Sequence, residues 1–312
     1  GRRDNKYKAR IKILVKEMTP AAFVREVERE WERLRGGPGT VPDDEIARLS
    51  AHFVDPPYAD LPRSNAACLS ALADSRPFSR WAARNVAAHK RTGYAIVTLS
   101  LKTTGVPPGD LTADRMDAVA ELADRYSFGE LRVTHEQNLV LADVPQSDLH
   151  ALWLRLKELG LATPNIGLLT DIICCPGGDF CSLANAKSIP IAEAIQRRFD
   201  DVDYLHDLGD IELNLSGCIN ACGHHHVGNI GILGVDKDGS EWYQVSLGGA
   251  QGNATSLGKV IGPSFAADEM PDVIERIVDV YVERRQPGES FIEAVRRLGI
   301  EPFRERVYAT AD

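Results

Sequence analysis

Hydrophobic and polar positions change period repeatedly between Tyr94 and Gly160. Val97, Leu99 and Leu101 alternate with Thr98 and Ser100, the period of two that a half-buried strand requires. Thr112 then stands where it can cap a helix, with Leu111 and Met116 spaced as a hydrophobic staple across the cap. "ELRVT" and "NLVLADV" read as a hairpin around "HEQ". Ser147 opens a helix striped by Leu149, Leu152, Trp153 and Leu156, and Gly160 closes it. The order strand, helix, strand, strand, helix predicts most of a ferredoxin-like α+β unit, with its helices on one side of an antiparallel sheet.

Patterning on either side is less regular. In "KARIKILV" the alternation places Lys8, Arg10 and Lys12 on one face of an extended segment, and Ala9, Ile11, Ile13 and Val15 on the other. Thr19 caps a following helix with Pro20 in its first turn; Phe23, Val27, Trp31 and Leu34 form its stripe until Gly36 and Gly37 stop it. Residues 36–66, rich in Gly and Pro, read as an irregular connector. The expected organisation is a leading tail and linker over 1–90, the ferredoxin-like half-unit over 91–162, and an α/β domain over 163–312. No internal repeat or low-complexity tract interrupts it.

A chain of 312 residues with 44% hydrophobic and 26% charged positions supports a large core and more than one domain. Its formal charge of −9 argues against a general nucleic-acid binder, so an anion site must rest on a local concentration of Lys and Arg. No stretch approaches a membrane span. The opening "GRRDNKYKARIKILV" carries neither an initiator Met nor a signal peptide, and the expectation is a fragment.

Five of the six cysteines, Cys174, Cys175, Cys181, Cys218 and Cys222, fall within one quarter of the sequence. Disulfide scaffolds spread their cysteines more widely, so a reducing cytoplasm and a metal centre are expected. The spacing is Cys175-x5-Cys181, a long interval, then Cys218-x3-Cys222. Four thiolates suit the corners of a [4Fe–4S] cubane. A structural zinc site is the competing reading, although zinc mostly uses C-x2-C to C-x4-C pairs; buried inert thiols are the third. Cys218 ends the strand "IELNL", and one helical turn would bring Cys222 round to the same side. Gly177, Gly178, Gly217 and Gly223 flank the thiols, where missing side chains let backbone N–H groups approach sulfur. Cys174 is taken as a non-ligand, although a C-x6-C register would admit it. His224, His225 and His226 cannot all face one ion, and a structural role is expected of them.

C-x5-C followed by "GC-x3-CG" resembles the sirohaem and [4Fe–4S] half-domain of the nitrite and sulfite reductases. The likeness continues through "VSLGG", "ESFIEAVRRLGIEPF", "LRVTHEQNLVLADV" and "RRDNKYKARIK". It implies the six-electron reduction of sulfite to sulfide, or of nitrite to ammonia. It also implies a sirohaem coupled to the cluster through the last cysteine, Cys222 by position. By the same likeness Arg10 and Lys12 lie over the distal face of the sirohaem, as catalytic residues that bind the substrate and supply protons. Arg132, Thr134 and Gln137 match a segment near the macrocycle, and Asn220 and Lys187 could reach its carboxylates. Family members carry two copies of the paired units, and this chain resembles one copy plus the tail of the preceding one. An upstream half is therefore expected as a partner, with a ferredoxin or a flavoprotein as electron donor. A corrin-pathway relative like precorrin-3B synthase shares the pattern and remains the competing enzyme; a four-cysteine metal module is the non-enzymatic alternative.

Overall fold

A computed structural model describes residues 10–309. The chain divides into two compact units between Tyr58 and Ala59.

The first unit is helical: α1 (Ile11–Met18), α2 (Pro20–Leu34) and α3 (Asp43–Ser50). The expected strand through Arg10 and Lys12 is therefore corrected. Ile13 and Leu14 both donate backbone bonds to Arg10 O, at 3.1 and 3.2 Å, so Lys12 lies in the first turn of a helix and Arg10 at its N-cap. Ile11, Leu14, Val15 and Met18 stand at i, i+3, i+4 and i+7, so the segment also carries a helical stripe, and a stretch this short satisfies both periods. The rest of the expected strand, including Lys8, lies outside the described residues. The α2 cap is as expected, with Thr19 accepting from Ala22 N at 3.4 Å and Pro20 in the first turn. Its stripe stays open to solvent, Trp31 at 57% exposure. The connector reading missed α3, whose first turn holds Asp43, Asp44 and Glu45, the charge a helix N-terminus favours.

The second unit begins with α4 (Ala66–Asp74) and α5 (Arg76–Asn85). It continues through β1 (Val86–Ala88), β2 (Tyr94–Leu99), α6 (Ala113–Tyr126), β3 (Arg132–Val133), β4 (Leu139–Pro145) and α7 (Leu149–Glu158). The four strands form an antiparallel sheet in the order β1-β2-β4-β3. Strand, helix, strand, strand, helix thus appear as the pattern implied, with β1 added at one edge. Thr112 caps α6 by accepting from Arg115 N. The stripe Leu149, Leu152, Trp153 and Leu156 is buried against Val97, Leu99 and Leu141. Phe78 and Trp81 of α5 complete that core, with ring centroids 5.9 Å apart.

The second sheet comprises β5 (Ile173–Cys174), β6 (Leu213–Ser216), β7 (Ile230–Lys237), β8 (Ser240–Leu247) and β9 (Lys259–Val260), in that spatial order. Helices α8 (Ile189–Arg198) and α9 (Val202–Leu208) lie between β5 and β6 in sequence; α10 (Met270–Arg284), α11 (Phe291–Leu298) and α12 (Glu301–Tyr308) follow β9. β5, β6 and β7 run parallel; β8 pairs antiparallel with β7, and β9 antiparallel with β8. Leu213, Leu215, Ile230, Ile232, Ile274, Ile277 and Phe291 fill a core buried beyond 98%, which fixes the carboxyl ends of β5 and β6. Among the described residues no helix is long and apolar enough to cross a membrane.

The two sheets are joined by a buried charge. Lys102, 1% exposed, donates from Nζ to Glu136 O at 2.6 Å and to Asp171 Oδ1 at 3.2 Å. Asp171 also accepts from Asn138 Nδ2 at 2.9 Å and Gly167 N at 3.0 Å. Burial holds the Lys102 ammonium below the usual lysine range, and Asp171 opposes that shift. Lys102→Met should destabilise the second unit by about 3 kcal/mol, because it leaves the largely buried Asp171 carboxylate without its cation. Lys102→Met with Asp171→Leu should recover part of that loss, which urea unfolding of the single and double variants will show.

Candidate metal centre

Both cysteine arms leave the carboxyl ends of parallel strands, the place where open α/β sheets gather ligands. The first begins where β5 ends. Cys175 N donates to Leu215 O at 3.1 Å, Cys181 N to Gly177 O at 2.9 Å, and Gly178 N to Ala186 O at 2.9 Å. The second begins where β6 ends. Gly217 O accepts from Asn185 N at 2.8 Å and Ala186 N at 3.1 Å, locking the arms together. Gly217 N donates to Cys175 Sγ at 3.1 Å, the backbone-to-sulfur contact that the flanking glycines suggested. A Cβ at Gly217 would lie 2.6 Å from Ala186 O and 2.7 Å from Gly177 Cα. Ser188 Oγ, which the sequence reading missed, stands 3.6 Å from the same sulfur.

The expected helical turn between Cys218 and Cys222 is absent. Ala221 N bonds to Cys218 O at 3.1 Å, and Ala221 and His224 both take left-handed backbone, with φ of 58° and 54°. Cys218 is consequently buried and Cys222 exposed, with Cys175 and Cys181 half-buried. Cys174 is 3% exposed and points its thiol at Cys175 O, 3.2 Å away. Burial pushes its pKa up, which disfavours the thiolate that a metal needs. The donor set outside Cys174 is four thiols on two interlocked arms, one already receiving a backbone N–H. In donor chemistry that set suits a cluster bound at four corners. Among the described residues no three His, Cys, Asp or Glu groups gather round a single point.

The histidine run anchors backbone. His224 O accepts from Asn214 Nδ2 at 3.1 Å and His226 O from Gly258 N at 2.8 Å, while His225 is buried.

The remaining candidates are dispersed. Arg10 and Lys12 are exposed and belong to the first unit. Arg132 is exposed and paired with Glu130. Thr134 Oγ1 accepts from Asn138 N at 3.1 Å, and the Gln137 amide is bonded to the backbone of Cys174. Asn220 is half-buried in the turn between Cys218 and Cys222; Lys187 is exposed. A cavity of about 270 Å³ adjoins Thr134, but Glu136, Asp171 and Glu212 also line it. Burial raises the Glu212 carboxyl pKa, with Glu136 adding to the rise. So small and acidic a cavity does not suit a macrocycle bearing carboxylates. Of Arg132, Thr134 and Gln137, Thr134 alone lines that cavity.

Two family models match the chain: the nitrite/sulfite reductase ferredoxin-like half domain over residues 91–159, and the nitrite and sulphite reductase 4Fe-4S domain over residues 168–311. A sulfite reductase [ferredoxin] 2 from Mycolicibacterium paratuberculosis is 32% identical over 65% of this chain and 39% of its own length. An assimilatory ferredoxin-dependent nitrite reductase from Haloferax mediterranei is 31% identical over 74% of this chain and 39% of its own length. The structure of the Mycobacterium tuberculosis NirA protein superposes with a TM-score of 0.64 at 26% identity, over 97% of this chain and 50% of that one. The chain therefore spans half or less of the length of these relatives.

Proposed function

Because the chain belongs to the nitrite and sulfite reductase family, we propose that it is the cluster-bearing half of a reductase that converts sulfite to sulfide, with nitrite to ammonia as the alternative. The observation that carries this reading is the pair of cysteine arms, interlocked through Gly217 and presenting Cys175, Cys181, Cys218 and Cys222 around one pair of strand ends. These four thiolates would hold a [4Fe–4S] cluster. Cys222, the exposed one, would be the sulfur shared with a sirohaem. Sirohaem, when bound, supplies the iron at which an oxyanion loses its oxygens. The protein's own share of the chemistry is to hold the electron store against that iron and to bring cations and protons to the anion. Arg10, at the N-cap of α1, and Lys12, in its first turn, are the proposed cations: two positive charges favour a doubly charged ligand. Electrons would come from a ferredoxin, as the names of the relatives indicate for those proteins, or from a flavoprotein. An upstream half of the polypeptide would complete the pocket. Six free thiols suit a reducing cytoplasm.

A visible spectrum of the anaerobically purified protein tests this. Isobacteriochlorin bands support the reductase. Cluster absorption without a tetrapyrrole supports the corrin-pathway relative or a sensor, and a colourless zinc protein removes the reading. Steady-state rates on both anions with one donor decide the substrate. Lys12→Asn in the full polypeptide should lower kcat/KM for sulfite about tenfold relative to nitrite, since one charge is lost against a dianion; a shift toward sulfite contradicts the assignment.

A further inference from the structure

β5 is an edge strand of two residues. Its Cys175 N–H faces β6, so the N–H and C=O of Cys174 point to the open side, where an unpaired edge would otherwise lie. Gln137 closes that side. Its Nε2 donates to Cys174 O at 2.8 Å, and its Oε1 accepts the Cys174 N–H at 2.8 Å. This is the pair of bonds that a neighbouring strand would supply. The carboxamide is delivered from the turn between β3 and β4, where Gln137 takes left-handed backbone with φ of 61°. That conformation costs energy in any residue but glycine. The turn is held by Gln137 N to Thr134 O at 3.2 Å and by Asn138 N to Thr134 Oγ1 at 3.1 Å. The next residue, Asn138, grips Asp171 from the same turn at 2.9 Å, and Lys102 grips it at 3.2 Å. The segment leading into Cys175 is thus tied at both ends to the ferredoxin-like sheet.

We propose that Gln137 is a positioning residue for the ligand Cys175: by completing the edge of β5 it fixes the backbone from which the Cys175 sulfur meets the Gly217 N–H. The inference rests on the reading of these cysteines as cluster ligands. It gives Gln137 a role other than contact with the macrocycle.

Gln137→Met keeps the length and volume of the side chain and removes both bonds; Gln137→Glu keeps the acceptor for the Cys174 N–H and sets a carboxylate against the Cys174 carbonyl. Amide exchange over residues 172–176 is measured in the metal-free chain, and iron release to a chelator in the cluster-loaded chain, with the far-UV melting midpoint as a control for folding. The Met variant should exchange about tenfold faster at Cys174 and release iron about tenfold faster, with little change in the melting midpoint. The Glu variant should keep near-normal exchange at the Cys174 amide and release iron at an intermediate rate. If the Met variant fails to fold, the iron release of the Glu variant carries the test. Wild-type rates of exchange and iron release in a folded Met variant overturn the proposal while leaving the reductase reading intact. Conversely, a wild-type chain that takes up zinc in place of a cluster, with exchange still accelerated by Gln137→Met, removes the reductase reading and leaves the brace on Cys175 standing.

Discussion

Cys222→Ser will remove cluster and sirohaem together, whereas Cys174→Ser will leave both in place. Cys222 is the exposed member of the four thiols, on a turn that contains the left-handed residues Ala221 and His224. It is the sulfur best able to serve two metals, and serine offers neither iron a comparable ligand. Cys174 lies a single residue from Cys175, yet it is buried among Leu168, Ile172 and Leu215, and its thiol is spent on Cys175 O. Its loss should cost packing only, about 1 kcal/mol. Iron, acid-labile sulfide and tetrapyrrole are to be measured on both variants after anaerobic purification. Equal iron loss in the two would mean that the ligand register begins at Cys174.

Gly223→Ala should destabilise the second unit by about 4 kcal/mol or more, a large effect for one methyl group. The added Cβ would stand 2.0 Å from Leu215 O and 2.8 Å from Leu215 C. Both are backbone atoms of a central strand, so no side chain can swing aside to make room. Relief requires β6 or the turn after Cys222 to shift, and that shift would also break the Gly223 N–H bond to Ser216 Oγ at 3.1 Å. A fall of about 10 °C in Tm is the corresponding expectation. Gly39→Ala meets nothing within 4 Å and serves as the neutral comparison. A Gly223→Ala protein that melts with the parent would show that the turn after Cys222 is not packed against the β6 backbone.

The parts of this molecule that the sequence revealed are those in which one local period dominates. The stripe Leu149, Leu152, Trp153 and Leu156 spans two helical turns with Gly160 at its end, and nothing competes with that reading. Ile11 to Met18 is too short for that: the same apolar residues satisfy periods of two and of 3.6, and the local hydrogen bonds to Arg10 settle the matter. Cysteine spacing suggests which thiols share an arm, because loop length limits reach. It said nothing of the left-handed Ala221 that parts Cys218 from Cys222, since an alanine gives no warning of positive φ. Gln137 and Lys102 were opaque for a different reason. Their partners, Cys174 and Asp171, lie 37 and 69 residues away. A lysine after "TLSL" or a glutamine in a hairpin looks like ordinary surface polarity until the two sheets are brought together.

The two hydrogen bonds between Gln137 and Cys174 also bear on the timetable of biogenesis. During synthesis the ferredoxin-like sheet leaves the ribosome first, and Cys174 emerges 37 residues behind Gln137. Gly217 follows Cys175 by a further 42 residues. The edge of β5 can thus be tied to a finished ferredoxin-like sheet while the second pair of thiols is still being translated, as domains fold in order from the N-terminus. Iron and sulfide delivered at that stage would meet two ligands where four are needed. Cofactor loading therefore belongs after the second arm has been made.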